Sequence, residues 1–273
     1  MRCCLLASAI AASVLLGPPA LAQSPADLPR DAQEAFLRTA EIVSSQRSST
    51  GITVPTNAVL SDGTLTPRAQ IQDVDIFERE FKTVTGTEIN FRDSYKYNIA
   101  AYLLDKHLDL RMVPVSVSHR VGSRTAAVTW WVDTVMMNEL DRVEQQQRSA
   151  DPRGWASQMY VVRVFDQLID NIDRNGGNLL ITDDWTISMI DHTRAFRTRK
   201  SLRTPDNLEW CERQLLAKLR VLDEGTLTSL LGEQLSGTEI EGVAARAALI
   251  VEHFDARIAD LGEGAVLYDL PPR

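Results

Sequence analysis

Two acids and an amide stand at fixed spacings in FDQLIDNIDRNGGNLLITDDWTISMIDHTRAF, the stretch from Phe165 to Phe196. Asn178 lies five positions after Asp173, and Asp191 thirteen after Asn178. Between Asn178 and Asp191, the apolar runs NLLI and TISMI flank Asp183-Asp184-Trp185, which reads as strand, turn, strand. A hairpin of that length brings its ends together. Asn178 and Asp191 then face one another across a gap suited to a hard cation, offering one amide oxygen and one carboxylate. Asp173 stands beside them without having to bind the ion. Phosphoryl transfer needs this division of labour, because a metal neutralises phosphate charge while a separate carboxylate orients or deprotonates the attacking hydroxyl.

The elements that must position these residues are legible from periodicity. Trp155 to Asp170 reads as a helix with apolar residues at Met159, Val162, Phe165, Leu168 and Ile169. Leu202 to Leu222, Thr226 to Leu235 and Thr238 to Leu261 supply three more helices. The first half is rich in strands. DAQEAFLRTAEIV reads as one short helix, and TNAVL and RAQIQDVD as a hairpin around Ser61-Asp62-Gly63. Tyr95 to Leu108 reads as a helix, followed by the strands MVPVSVSHRV and RTAAVTWWV.

On these residues the chain resembles the protein-kinase-like superfamily. DRNGGN, then LLI, then IDH, looks like its catalytic loop and metal-binding segment. The D-R-x-x-x-N form is nearest to phosphatidylinositol kinases, HipA-type kinases and secretory-pathway kinases. The DSYKYNIAAYLLD helix and the WWVD segment extend the likeness to bacterial members of the superfamily. The resemblance implies an α+β bilobal fold, with a small strand-rich N-lobe carrying one main helix and a larger helical C-lobe. It makes Asp173 the catalytic base, Asn178 and Asp191 the ligands of Mg or Mn, and ATP the donor to an unidentified hydroxyl acceptor. Arg174, His192 and Arg194 are supporting residues that steady the site, the phosphates or the local structure.

The nucleotide side departs from the family pattern. Kinases hold the phosphates with a lysine on the third strand, paired to a glutamate on the next helix. Here Gln72 and Asn98 take those positions, and two amides hydrogen-bond where an ion pair would sit. Lys96, Lys82 and Arg68 are the nearby cations that can substitute. Trp131 and Val132 fall where the resemblance puts the hinge against adenine. Ser61-Asp62-Gly63 offers a single glycine in place of a glycine-rich loop. The missing pair favours a second reading, a pseudokinase that binds or regulates without turnover.

Two blander readings compete. Acids and amides are common in solvated turns, but a mere connection does not need another acid at the far end of an apolar strand. Asn171-x-Asp173-x-Asn175-Gly176 also opens like a calcium loop, yet the twelfth position is Thr182, where a carboxylate is required.

Composition narrows the partners. The formal charge is −8 and the pI about 5.1, which leaves no electrostatic footprint for nucleic acid. His107, His119, His192 and His253 show no zinc spacing, and there is no G-x-S-x-G elbow. Arg2, the run CCLLASAIAASVLLG and Ala20-Leu21-Ala22 read as a leader cleaved near Gln23. Removal takes Cys3 and Cys4, leaves only Cys211, and leaves no membrane span. The expected organisation is a signal peptide over 1–22, a helical extension over 23–50, the N-lobe over 51–135 and the C-lobe over 136–273. The protein is then exported, or cytoplasmic if translation starts later.

Overall fold

A computed structural model describes residues 28–47, 56–83 and 86–271. The leader over 1–22 lies outside them. The chain opens with helix α1 (Arg30–Thr39), then strands β1 (Glu41–Arg47), β2 (Thr56–Ser61) and β3 (Arg68–Gln72). The hairpin β4 (Asp75–Thr83) and β5 (Gly86–Ser94) leads into helix α2 (Lys96–Leu108), and β6 (Ser116–Val121) and β7 (Arg124–Trp130) follow. Five strands form one antiparallel sheet in the order β1-β2-β3-β7-β6.

Alternation explains the sheet's inner face. Ala58, Leu60, Ala69, Ile71, Val117, Ala126, Val128 and Trp130 are buried and meet the apolar residues of α1 and α2. Phe36 of α1 stands edge-on to Trp130 with ring centroids 5.8 Å apart. Arg30 reaches across to the fully buried Asp105 of α2 at 2.9 Å.

Two expectations change here. The helix expected over DAQEAFLRTAEIV stops at Thr39; Ala40 is extended, and Glu41 onward pairs with β2 from Glu41↔Ser61 to Arg47↔Thr56. This edge strand is largely exposed, so it lacks the alternation that would reveal it, and cross-strand pairing overrides local helix propensity. The hairpin of β4 and β5, joined from Asp75↔Ser94 to Thr83↔Gly86, was not expected at all. Its residues are charged and mostly exposed, with Phe81 stacked on Phe91 at 4.0 Å.

The second half begins with β8 (Val135–Asn138) and the short helix α3 (Glu139–Glu144), then α4 (Pro152–Ile169). Asp151 caps α4 by accepting from Gly154 N at 3.0 Å, and Pro152 occupies its first turn. Strands β9 (Leu179–Thr182) and β10 (Ile187–Met189) form the expected hairpin, and β8 joins it in a three-stranded sheet. The helix expected over 202–222 is only α5 (Arg213–Arg220). Before it comes an irregular loop and β11 (Cys211–Glu212), which pairs in parallel with β12 (Leu267–Tyr268). Cys211 is therefore buried in a strand, where a helix was expected. Helices α6 (Glu224–Leu231) and α7 (Gly237–Leu261) complete the half. Among the described residues no helix is long and apolar enough to cross a membrane.

Candidate active site

Arg174 is the organising residue of the catalytic-loop region. Its Nε donates to Asp166 at 2.9 Å, its Nη1 to the carbonyls of Asn178 at 3.0 Å and Ile190 at 2.9 Å, and its Nη2 lies 3.0 Å from His192 Nε2. One planar guanidinium thus ties the end of α4, the start of β9 and the end of β10 together. Ile190 N also donates to Asn178 O at 3.0 Å, continuing the β9–β10 register beyond Met189↔Leu179. Asn178 and Asp191 therefore flank the open end of one ladder, away from its turn.

The loop before them is set by amides. Asn171 Oδ1 accepts from Asp173 N at 3.1 Å, and Asn175 Oδ1 accepts from Gly177 N at 2.9 Å. Asn178 Nδ2 donates to Asp173 O at 3.3 Å, which leaves its Oδ1 for another partner. At Gly176 an added Cβ would sit 3.0 Å from Leu140 of α3, close enough that α3 would have to shift. Asp173 is exposed at the mouth, while Asp191 is half-buried and held in the left-handed region at φ 55°. Burial pushes the Asp191 carboxyl above the usual range, and the nearby Asp173 charge adds to it against the Thr193 hydrogen bond and Arg174. Asp173 thus lies within electrostatic reach of Asp191 and bonds through its carbonyl to Asn178.

A third carboxylate joins them. Asp93, at the end of β5, is only 7% exposed. Burial raises its carboxyl too; Thr193 opposes the rise, and the charges of Asp191 and Asp173 reinforce it. The Thr193 hydroxyl donates to Asp191 Oδ1 at 3.1 Å, and Ser94 N donates to Thr193 O at 2.9 Å. Sequence reasoning missed Asp93 because it missed the β4–β5 hairpin. The period-two pattern of INFRDS just before the α2 helix was the available signal.

The amides of the nucleotide side also meet. Asn98 Nδ2 donates to Gln72 Oε1 at 3.2 Å, and Asn98 Oδ1 accepts from His192 N at 2.8 Å. Both side chains are buried, Gln72 at 8% and Asn98 at 7% exposure. Strand β3, helix α2 and the segment after Asp191 are thus linked through one neutral relay. The nearby cations are engaged elsewhere. Lys96 pairs with Asp75 at 2.9 Å, and Arg68 pairs with Asp133 while lying 5.0 Å over the Trp131 ring. Lys82 is exposed on β4.

Other expected residues take plainer places. Trp131 lines a cavity of about 330 Å³ with Ser45, Asn57, Val59 and Arg68, and shares a second one of about 260 Å³ with Val132, Trp130 and Val113. His192 is 1% exposed, and its pKa is driven well below the ordinary value by burial and by Arg174, so the ring is neutral. Arg194 turns to Glu88 of β5 and covers Phe91 at 4.4 Å. Ser61-Asp62-Gly63 forms the β2–β3 turn, with Asp62 Oδ1 accepting from Thr64 N and Leu65 N at 2.8 Å. The β1–β2 connection, where a phosphate-covering loop would lie, falls on residues 48–55, outside the described residues. Arg246, also missed, is fully buried in α7 and donates to Leu168 O at 2.8 Å and Arg197 O at 2.9 Å, clamping the segment after Asp191 onto α4. A lone arginine within an alanine-rich helical run was its only signal.

By sequence, no family model and no curated relative matches the chain. Solved structures do. A hydra Fam20 protein with sugar superposes at a TM-score of 0.64 with 13% identity, over 86% of this chain and 90% of that one. The Golgi casein kinase with Mn and ADP bound gives 0.62 with 15% identity, over 89% and 80%. The Helicobacter pylori proinflammatory kinase CtkA gives 0.53 with 12% identity, over 82% and 98%. The likeness spans most of every chain, so the strand-rich first half, the single long helix beside its sheet and the helical second half constitute a protein-kinase-like fold.

Proposed function

We propose that the protein is a metal-dependent phosphotransferase, moving a phosphoryl group from a nucleotide to a hydroxyl acceptor. The observation that carries this reading is the convergence of Asp173, Asn178 and Asp191 around the Arg174 frame of a kinase-like fold. The donor set suits a hard divalent cation. The carboxylate of Asp191 receives a hydrogen bond from Thr193, the Asn178 amide keeps its oxygen free of the Asp173 contact, and both ligands offer oxygen. Mg or Mn held there would neutralise phosphate charge. The Mn and ADP in the Golgi casein kinase structure support that pairing for this reading.

The chain's own residues divide the work. Asp173, exposed and backbone-fixed by Asn171, accepts the proton of the acceptor hydroxyl. Asn178 and Asp191 hold the cation. The Gln72–Asn98 relay keeps the segment after Asp191 in place, and Trp131 and Val132 meet the base. Asp191→Ala abolishes binding of ATP with Mn²⁺ in a thermal-shift assay, whereas Asp173→Ala keeps binding and loses transfer. Unchanged transfer in Asp173→Ala sinks the role given to that residue.

The neutral amides at positions 72 and 98 favour a second reading, a binding or regulatory module without turnover. Nucleotide binding with no transfer to any hydroxyl-bearing acceptor selects it. Export belongs to the proposal as well, and mass spectrometry of the mature N-terminus tests it: a start near Gln23 supports export, a retained leader counts against it.

A further inference from the structure

Asp93 is energetically out of place as a purely structural residue. It is more than nine-tenths buried, and its Oδ1 has no hydrogen-bond partner among the described residues. An unpaired buried carboxylate oxygen is costly, and other carboxylates beside it add to the cost. The backbone allows little escape. Asp75↔Ser94 closes the hairpin in register, and Ser94 N is bound to Thr193 O at 2.9 Å, so the end of β5 is pinned to the segment after Asp191. Thr193 has a single hydroxyl proton between two carboxylates, 3.1 Å from Asp191 Oδ1 and beside Asp93, so it cannot satisfy both, and Asp93 Oδ1 stays unpartnered. Neighbouring cations offset the cost only in part: the Arg194 charge acts on Asp93, but its guanidinium is paired with Glu88, while Lys96 is paired with Asp75 and Arg174 with Asp166.

We propose that Asp93 is a further ligand of the divalent cation, so that the β4–β5 hairpin supplies an oxygen donor beside Asp191 and Asn178. The inference rests on the reading of those two residues as cation ligands. Two carboxylates and an amide make an open half-shell. Among the described residues no three His, Cys, Asp or Glu side chains are grouped so as to hold a metal ion by themselves, so the Asn178 oxygen and phosphate oxygens have to complete the shell. A cation that must also take phosphate oxygens needs those open positions. Two carboxylates also match a double positive charge on the face where Gln72 replaces a lysine. Nucleotide binding then depends on the metal throughout, because three acids, Asp93, Asp173 and Asp191, otherwise face the phosphates.

The test is Mn²⁺ binding to the purified protein without nucleotide, read from the loss of the free-ion EPR signal, together with thermal unfolding in EDTA and in Mn²⁺. Asp93→Asn keeps shape and one oxygen but removes the charge. Its Mn²⁺ affinity is expected to fall about tenfold or more, at least the cost of losing an outer-shell partner. In EDTA the same variant melts above wild type, because repulsion among the acids is relieved. Asp93→Ala is the second variant should the first fail to fold. Unchanged Mn²⁺ affinity in Asp93→Asn, with affinity lost in Asp191→Ala, overturns the proposal and leaves the phosphotransfer reading standing. Asp93→Asn melting below wild type in EDTA makes Asp93 a structural acceptor and also overturns it. Wild type that binds no Mn²⁺ overturns it too, while the transfer assay with Asp173→Ala decides the phosphotransfer reading separately.

Discussion

The catalytic-loop side and the nucleotide side of the cleft solve the same problem in opposite ways. On the first, charge is kept and neutralised locally: Arg174 meets Asp166 eight residues away and the backbone carbonyls of Asn178 and Ile190. On the second, charge has been removed, and two amides 26 positions apart hold β3 to α2. The contrast bears on where phosphate affinity would come from in the proposed reaction. A neutral relay can fix geometry but cannot attract a triphosphate, so on the proposed phosphotransfer reading the attraction would fall to the acids and the cation they would hold.

The comparison breaks most severely at Arg174. Arg174→Met leaves the largely buried Asp166 without its ion partner and the Ile190 carbonyl without its donor, and should cost about 3–5 kcal/mol in urea unfolding. A loss below about 1 kcal/mol would mean that the loop does not depend on this frame. The nucleotide side is sharpened by restoring what it lacks. Gln72→Lys and Asn98→Glu singly bury an uncompensated charge and should each cost about 1–3 kcal/mol or more. The double variant should recover at least about 1 kcal/mol of their sum and bind nucleotide more tightly than wild type. Strictly additive losses would show that the two positions do not face one another.

The smallest effect is a pH dependence. His192 has a folded pKa held well below its ordinary value, so the native state resists the proton that the unfolded chain takes up near pH 6.5. Its contribution to stability is full above that pH and is lost as pH falls, by about 1.4 kcal/mol per unit at most. Unfolding at pH 7.5 and 5.5 should therefore differ less in His192→Gln than in wild type. Equal differences would place the sensitivity on another histidine.

How much was legible follows from the range of the contacts. The helix α4, the β9–β10 hairpin and the spacing of Asp173, Asn178 and Asp191 are local, and a period of 3.6 or 2 exposes them directly. The facing of Gln72 and Asn98 was also anticipated, through the family resemblance and not through any local pattern. What escaped was either exposed or isolated. Strand β1 and the β4–β5 hairpin bury little, so alternation is absent from the first and confined to the end of β5 in the second, and α5 is shorter than its apolar pattern suggests because Cys211 is drawn into pairing with Leu267.

The sequence by itself determined that Asn178 and Asp191 would be gathered at the end of one hairpin with Asp173 just ahead of it, because neighbouring residues need only the pleat and the turn to meet. Only the tertiary structure decided that Asp93 stands against Asp191 and that Asn98 holds the backbone of His192. Those pairs lie about a hundred positions apart, and nothing in local propensity encodes a meeting that depends on how α2 and the β4–β5 hairpin dock on the segment behind the catalytic loop.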